Sequence, residues 1–142
     1  MILMNKTPNT KIAIITGAGS GIGKHASISL AQHGVKTFLI DFDSTNGQKT
    51  AGHIIQNGGE SFFEKADVSH PDQMKKAVDK CIEIYGKLDI GVNSAGIAGA
   101  RSLTHNYSIN DWNKLIQINL TGIFISMKYQ ITFVIEVFNI NI

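Results

Sequence analysis

The chain has 142 residues, enough for one ordinary hydrophobic core and too few for two. With 43% apolar and 17% charged residues it reads as globular, and a formal net charge of +2 is too small to make nucleic acid its main partner. A single cysteine, Cys81, excludes an internal disulfide, and Met1-Ile2-Leu3-Met4 is too short for the apolar part of a secretory signal, which together favour a cytoplasmic or organelle-matrix setting.

Residues 11–16, with β-branched side chains and no breaker, predict a buried parallel strand. The glycine-rich stretch Thr16-Gly17-Ala18-Gly19-Ser20-Gly21-Ile22-Gly23 follows and opens a helix. That helix places Ile22, Ala26, Ile28, Ser29, Leu30 and His33 on one broad face and ends at Gly34. Residues 36–41 repeat the strand pattern and end on Asp41. Ser44 or Thr45 is the expected cap of a second helix running to about Gln56, where Asn57-Gly58-Gly59 stops it.

A third strand is expected over 61–66. Ser69 and Asp72 form a capping-box pattern with Pro71 in the first turn, and the helix after them carries Met74, Ala77, Val78, Cys81, Ile82 and Tyr85 at helical spacing. Cys81 on that stripe is a core residue, not a nucleophile. A fourth strand over 88–92 runs into Asn93-Ser94-Ala95-Gly96. Ser108 and Asp111 then open a long helix over 109–129. Trp112, Leu115, Asn119, Gly122 and Ser126 share one of its faces, and Ile116, Leu120, Ile123 and Met127 make a second. One face should meet the sheet, and the other implies a further element or a partner subunit. Lys128, Gln130 and Glu136 interrupt the apolar run over 122–138, which argues against a membrane span.

Strands and helices alternating four times predict an α/β fold, a Rossmann-type doubly wound parallel sheet of about four to five strands. Residues 1–10 read as an N-terminal extension, 11–128 as a nucleotide-binding domain and 129–142 as a divergent tail. The five histidines stand at no zinc-ligand spacing with Cys or Glu, so no metal is expected.

Glycine spacing narrows the ligand. A Walker loop needs glycine where Ala18 stands and Ser or Thr where His25 stands, so an ATPase loop is excluded. G-x-G-x-x-G fails as well, leaving T-G-x-x-x-G-x-G through Gly17, Gly21 and Gly23. Such a turn lets backbone approach a pyrophosphate at a helix N-terminus. Asp41, 18 positions after Gly23, stands where an acid accepts hydrogen bonds from an adenosine ribose. An acid there repels a 2′-phosphate, and neither Ser20 nor Phe42 supplies a cation, so NAD is favoured over NADP, with Lys24 the one nearby basic residue that counts against it.

These motifs resemble the short-chain dehydrogenase/reductase family. Thr16-Gly17-x-x-x-Gly21-Ile22-Gly23, with Ser20, matches its cofactor loop, and Asp41 its ribose acid. Asp67-Val68 matches its adenine contact, and Asn93-Ser94-Ala95-Gly96 its N-N-A-G segment with Ser in place of the second Asn. Asn119, within Asn119-Leu120-x-Gly122, falls where the family places its catalytic Asn. The resemblance implies an NAD-dependent oxidoreductase passing hydride between the nicotinamide and a small alcohol or carbonyl substrate, with a Tyr of tuned pKa as acid or base. Its catalytic Ser and its Tyr-x-x-x-Lys have no counterpart here, since Tyr129 is followed at the fourth place by Phe133.

The expectation for the tail is therefore an altered reading frame, a retained intron or a truncated gene prediction, with 131–138 free to fill a vacant fifth-strand slot. Two alternatives accompany the enzyme reading: an inactive NAD-binding fragment that associates with a full-length relative, and a binding domain for another adenine ligand. Self-association would use the helix over 109–129. Arg101 and His105, in the loop over 97–107, are the candidates for contact with a polar substrate.

Overall fold

The computed structural model describes residues 10–138, with side chains described to residue 134. The expected extension up to residue 9 and the last four residues of the expected tail lie outside the described residues. Nine regular elements follow the predicted alternation: β1 (Ile12–Thr16), α1 (Gly21–Gln32), β2 (Lys36–Asp41), α2 (Ser44–Gln56), β3 (Ser61–Lys65), α3 (Pro71–Tyr85), β4 (Ile90–Asn93), α4 (Ile109–Ile116) and α5 (Gly122–Phe138). The four strands form one parallel sheet in the order β3-β2-β1-β4.

Both faces of this sheet are covered, which is why its central strands read as unbroken apolar runs. Side chains alternate between the faces. Ile12 and Ile14 of β1 and Phe38 and Ile40 of β2 point toward α3 and α5, where they meet Met74, Val78, Cys81 and Ile125. Ala13, Ile15 and Leu39 point the other way, onto Ala51 and Ile54 of α2 and the partly buried Ile28 and Leu30 of α1. Phe38 stacks on Phe62 with ring centroids 5.3 Å apart. Each fully buried Ile, Leu or Phe of this core contributes about 1.5–3 kcal/mol.

The helix starts differ from the sequence expectation at two places. The cap of α2 is Asp43, whose carboxylate accepts the Asn46 N–H at 3.1 Å, one residue ahead of the predicted Ser44. At α3 the cap position falls on His70 without a side-chain cap bond, because the Ser69 hydroxyl is drawn instead to the Asp67 carboxylate at 2.7 Å. The Ser108 cap of α4 is as predicted, accepting from the Asp111 N–H. On α1 the buried residues are Gly23 and Ser27. The predicted face is thus displaced: Ser29 and His33 are exposed, and Ile22 is 80% exposed at the rim of a cavity. Small side chains on the inner face let α1 sit close to β1.

The predicted single helix over 109–129 is two helices joined by a π turn, Gln117–Thr121. α5 then runs through residue 129 without a break. The fifth strand expected over 131–138 is therefore replaced by helix. Local β propensity was outweighed by packing, because Tyr129, Phe133 and Val134 share the helix face that rests on the α3 side of the core. The slot beside β4 holds no strand among the described residues. β4 itself starts two residues later than predicted. Asp89, just ahead of it, accepts the Ile12 N–H at 2.8 Å and the ammonium groups of Lys11 and Lys87 at 3.2 and 3.1 Å.

Candidate functional site

Parallel pairing with β1 central brings the C-terminal ends of all four strands to one edge, and a cavity of about 700 Å³ opens there. Its floor is the turn from β1 into α1. Gly17 has φ +68°, and a methyl group on it would lie 2.8 Å from the Ala95 backbone. Gly23, one turn into α1, is packed so closely under Gly17 that a methyl group would overlap the Gly17 carbonyl oxygen. The Ser20 side chain makes no capping bond, and the first intrahelical bond runs from the Lys24 N–H to the Ser20 carbonyl. The positive end of the helix dipole thus faces the cavity with no acid in the first turn to offset it.

At the end of β2, Asp41 is held in place. One carboxylate oxygen accepts the Gly19 N–H and the other the Asp43 N–H, each at 2.8 Å. Each oxygen keeps a further lone pair for a ligand hydroxyl. After β3, Asp67 folds back on its own turn, accepting the Ser69 N–H at 2.9 Å and lying 3.3 Å from the His70 ring nitrogen. Burial pushes its carboxyl upward, but the Ser69 bonds and His70 outweigh this and hold it below the ordinary value. Val68, 6% exposed, gives this side an apolar wall.

The fourth side is the segment leaving β4. Ala95 donates its N–H to the Thr16 hydroxyl at 3.3 Å, and Ile97 is bracketed by Asn119. The Asn119 amide oxygen accepts the Ile97 N–H at 2.8 Å, and its nitrogen donates to the Ile97 carbonyl at 2.9 Å. Asn119 stands inside the π turn between α4 and α5, so this widened turn is what aims it at the loop.

Of the site residues predicted from sequence, Gly17, Ser20, Gly21, Ile22, Asp41, Asp67, Val68, Ala95 and Gly96 line the one cavity. Thr16, Gly23, Asn93 and Asn119 do not. Thr16 and Gly23 are buried beneath the loop, Asn93 turns its amide toward α5, and Asn119 commits its amide to the Ile97 backbone. The cavity also gains Phe42, Ala66, Ser94, Lys114 and Ile118, none of which was predicted as a site residue, and Ile97, the first residue of the loop over 97–107. Lys114 and Ile118 stand four apart on consecutive turns, a spacing that places them on one helical face. Phe42 is 70% exposed directly after Asp41, and a large apolar side chain left in water at a strand end was the available signal. Arg101 and His105 are exposed in the loop ahead of α4 and do not line the cavity.

An anion cradle at a helix start, a fixed acid one strand over and apolar walls beyond it define a dinucleotide-binding α/β domain. Comparison with known proteins narrows the class. The short chain dehydrogenase family profile matches residues 11–137, and the chain belongs to that family. It is 39% identical over 129 residues to a cyclohexanol dehydrogenase of Acinetobacter sp. (strain SE19), covering 91% of this chain and 51% of that protein. The solved 3-ketoacyl-ACP reductase of Sinorhizobium meliloti 1021 superposes with a TM-score of 0.86 at 33% identity, over 89% of this chain and 49% of that one. Carveol dehydrogenase from Mycobacterium avium, solved in complex with NAD, gives 0.86 at 28% identity over 91% and 51%. The chain thus spans about half the length of these relatives.

Among the described residues, no three or more His, Cys, Asp or Glu side chains come together as metal ligands, and no helix is long and apolar enough to cross a membrane.

Proposed function

We propose that this chain is the nucleotide-binding part of an NAD-dependent oxidoreductase that interconverts an alcohol and a carbonyl compound. The observation that carries the reading is Asp41, fixed by two backbone N–H groups beside a cradle in which glycine has removed the side chains. A carboxylate held there accepts ribose hydroxyls and repels a 2′-phosphate, which favours NAD over NADP. The dinucleotide, when bound, supplies the hydride acceptor or donor. The chain's own residues bind and orient it: the start of α1 takes the pyrophosphate, Asp67 and Val68 border the adenine, and Ala95, Gly96 and Ile22 line the opposite end.

A second reading has a specific observation behind it. The family resemblance puts Asn119 at the catalytic Asn position, while Tyr129 is followed at the fourth place by Phe133, so the second reading is that these residues by themselves bind cofactor without turnover. Titrating NAD and NADP calorimetrically and assaying alcohol oxidation on one preparation separates these. Binding with turnover supports the enzyme, binding alone supports the fragment, and no binding of either cofactor overturns both.

The exposed apolar stripe of Leu120, Phe124, Met127 and Ile131 supports self-association through the π turn and α5. The buried, unpaired Cys81 accords with a reducing cytoplasmic setting.

A further inference from the structure

The cavity wall that leaves β4 is held at three points, and one of them is a residue to which the family motifs assign nothing. Thr16 holds Ala95, Asn119 holds Ile97, and Gln130 of α5 holds Asn93. The last contact is a reciprocal amide pair. Asn93 donates to the Gln130 carbonyl oxygen at 2.9 Å, and Gln130 donates back to the Asn93 oxygen at 3.0 Å.

Gln130 is 3% exposed, so its amide has left water and depends on this partner. The neighbouring strand position is cleared for it: a methyl group on Gly91 would stand 2.6 Å from the Gln130 oxygen. An apolar side chain would fill the place with less desolvation cost. What the amide adds is direction, because two antiparallel N–H···O bonds fix both the rotation and the height of Asn93. Asn93 pairs in register with Thr16 at the end of β1, and Ala95, two residues on, is the backbone against which Gly17 closes.

We infer that Gln130 is a positioning residue for the cofactor cavity: through Asn93 it sets where the 94–97 wall stands against the Gly17 turn. It touches no ligand itself. The inference rests on the cofactor reading above for its effect on affinity, but its effect on the wall does not need a ligand.

The test uses Gln130→Met, which keeps the length of the side chain and removes both bonds, and Gln130→Glu. In Gln130→Met, amide hydrogen exchange at Ala95 and Ile97, whose N–H groups bond Thr16 and Asn119, should quicken about tenfold, while the β1 and β2 amides keep their wild-type rates. NAD should bind about tenfold more weakly to this variant. Gln130→Glu supplies the conservative rescue. A neutral carboxyl can both donate and accept and so repeats the amide pair, whereas a carboxylate can only accept. The ratio of variant to wild-type affinity should therefore approach one toward about pH 5 and fall as the introduced group ionises.

Unchanged exchange at Ala95 and Ile97 in a Gln130→Met chain that still unfolds cooperatively overturns the inference. Should that variant not fold, a Gln130→Glu ratio flat with pH overturns it in its place. If wild type binds no NAD, the proposed function fails, and the exchange rates alone decide the role of Gln130.

Discussion

Gly23 and Gly21 lie two residues apart in one motif, and the structure asks different things of them. A methyl group at Gly23 would overlap the Gly17 carbonyl oxygen, whereas at Gly21 it would meet nothing within 4 Å and suffer only the backbone penalty of φ +49°. Gly23→Ala should therefore cost about 1–3 kcal/mol of stability and displace the Gly17 turn. Gly21→Ala should cost about 1–2 kcal/mol with the turn intact. Chemical denaturation of both variants checks the losses, and NAD titrations check the turn: Gly23→Ala should weaken NAD more than Gly21→Ala does, and equal affinities would contradict the displacement. Asp41→Ala should weaken NAD by about tenfold or more, since it removes the ribose acceptor and releases the Gly19 and Asp43 N–H groups together, and it should narrow the preference for NAD over NADP. Cys81 gives a simpler outcome. Burial pushes its thiol up to about 12, so at pH 8 it should resist Ellman's reagent in the folded chain and react in denaturant. The glycines, Asp41 and Cys81 were legible in the sequence because each follows from local spacing. Ala66, Lys114 and Ile118 were not, because which side chains rim a cavity depends on how separate elements meet.

Among the elements, the joint between β1 and β4 rests on Asp89. Its carboxylate is 3% exposed and accepts one backbone N–H and two ammonium groups. Burial raises its pKa, but the Ile12 N–H, Lys87 and Lys11 more than offset that, and the group lies below the ordinary carboxylate value. The folded pKa being depressed, its contribution is fully present above the unfolded value of about 4 and is lost as pH falls through the folded one. Asp89→Ala should destabilise by about 1–3 kcal/mol at pH 7, and the gap to wild type should close below about pH 4. Urea midpoints measured across that range check it; a gap that persists at low pH would assign the loss to packing alone. Element order and type as far as β4 followed from periodicity, whereas right-handed crossovers alone leave several strand orders open, and the order β3-β2-β1-β4 is read from the pairing itself. What failed was local competition. Ser69 has two partners within reach in sequence, the Asp67 carboxylate and the Asp72 backbone N–H, and only the fold decides that Asp67 takes the hydroxyl. Residues 131–138 carry strand-forming side chains that also repeat at helical spacing, and burial of Tyr129, Phe133 and Val134 settles the choice.

For the whole molecule, the two sides of the last helical pair have unequal fates. Gly122, Ile125, Ser126 and Gln130 turn inward, where the Ser126 hydroxyl bonds the Gly122 carbonyl at 2.8 Å and Gly122 closes on Val68. Leu120, Phe124, Met127 and Ile131 turn outward, with Phe124 60% exposed. Their spacing of four, three and four residues draws a continuous stripe along the helix. Two copies related by a two-fold axis would present this same stripe to each other, each burying what the other exposes. Phe124 is the largest side chain at its centre and should carry the greatest share of the association. Sedimentation equilibrium should show wild type self-associating in the micromolar range, while Phe124→Lys shifts it to monomer by about tenfold or more in dissociation constant. Because Phe124 faces away from the cavity wall, the monomeric variant should keep its affinity for NAD. A wild-type chain that stays monomeric to about 1 mM would leave no role for the stripe in pairing copies of this chain. Loss of NAD binding in a folded Phe124→Lys monomer would mean that the outer stripe and the cavity are coupled through α5.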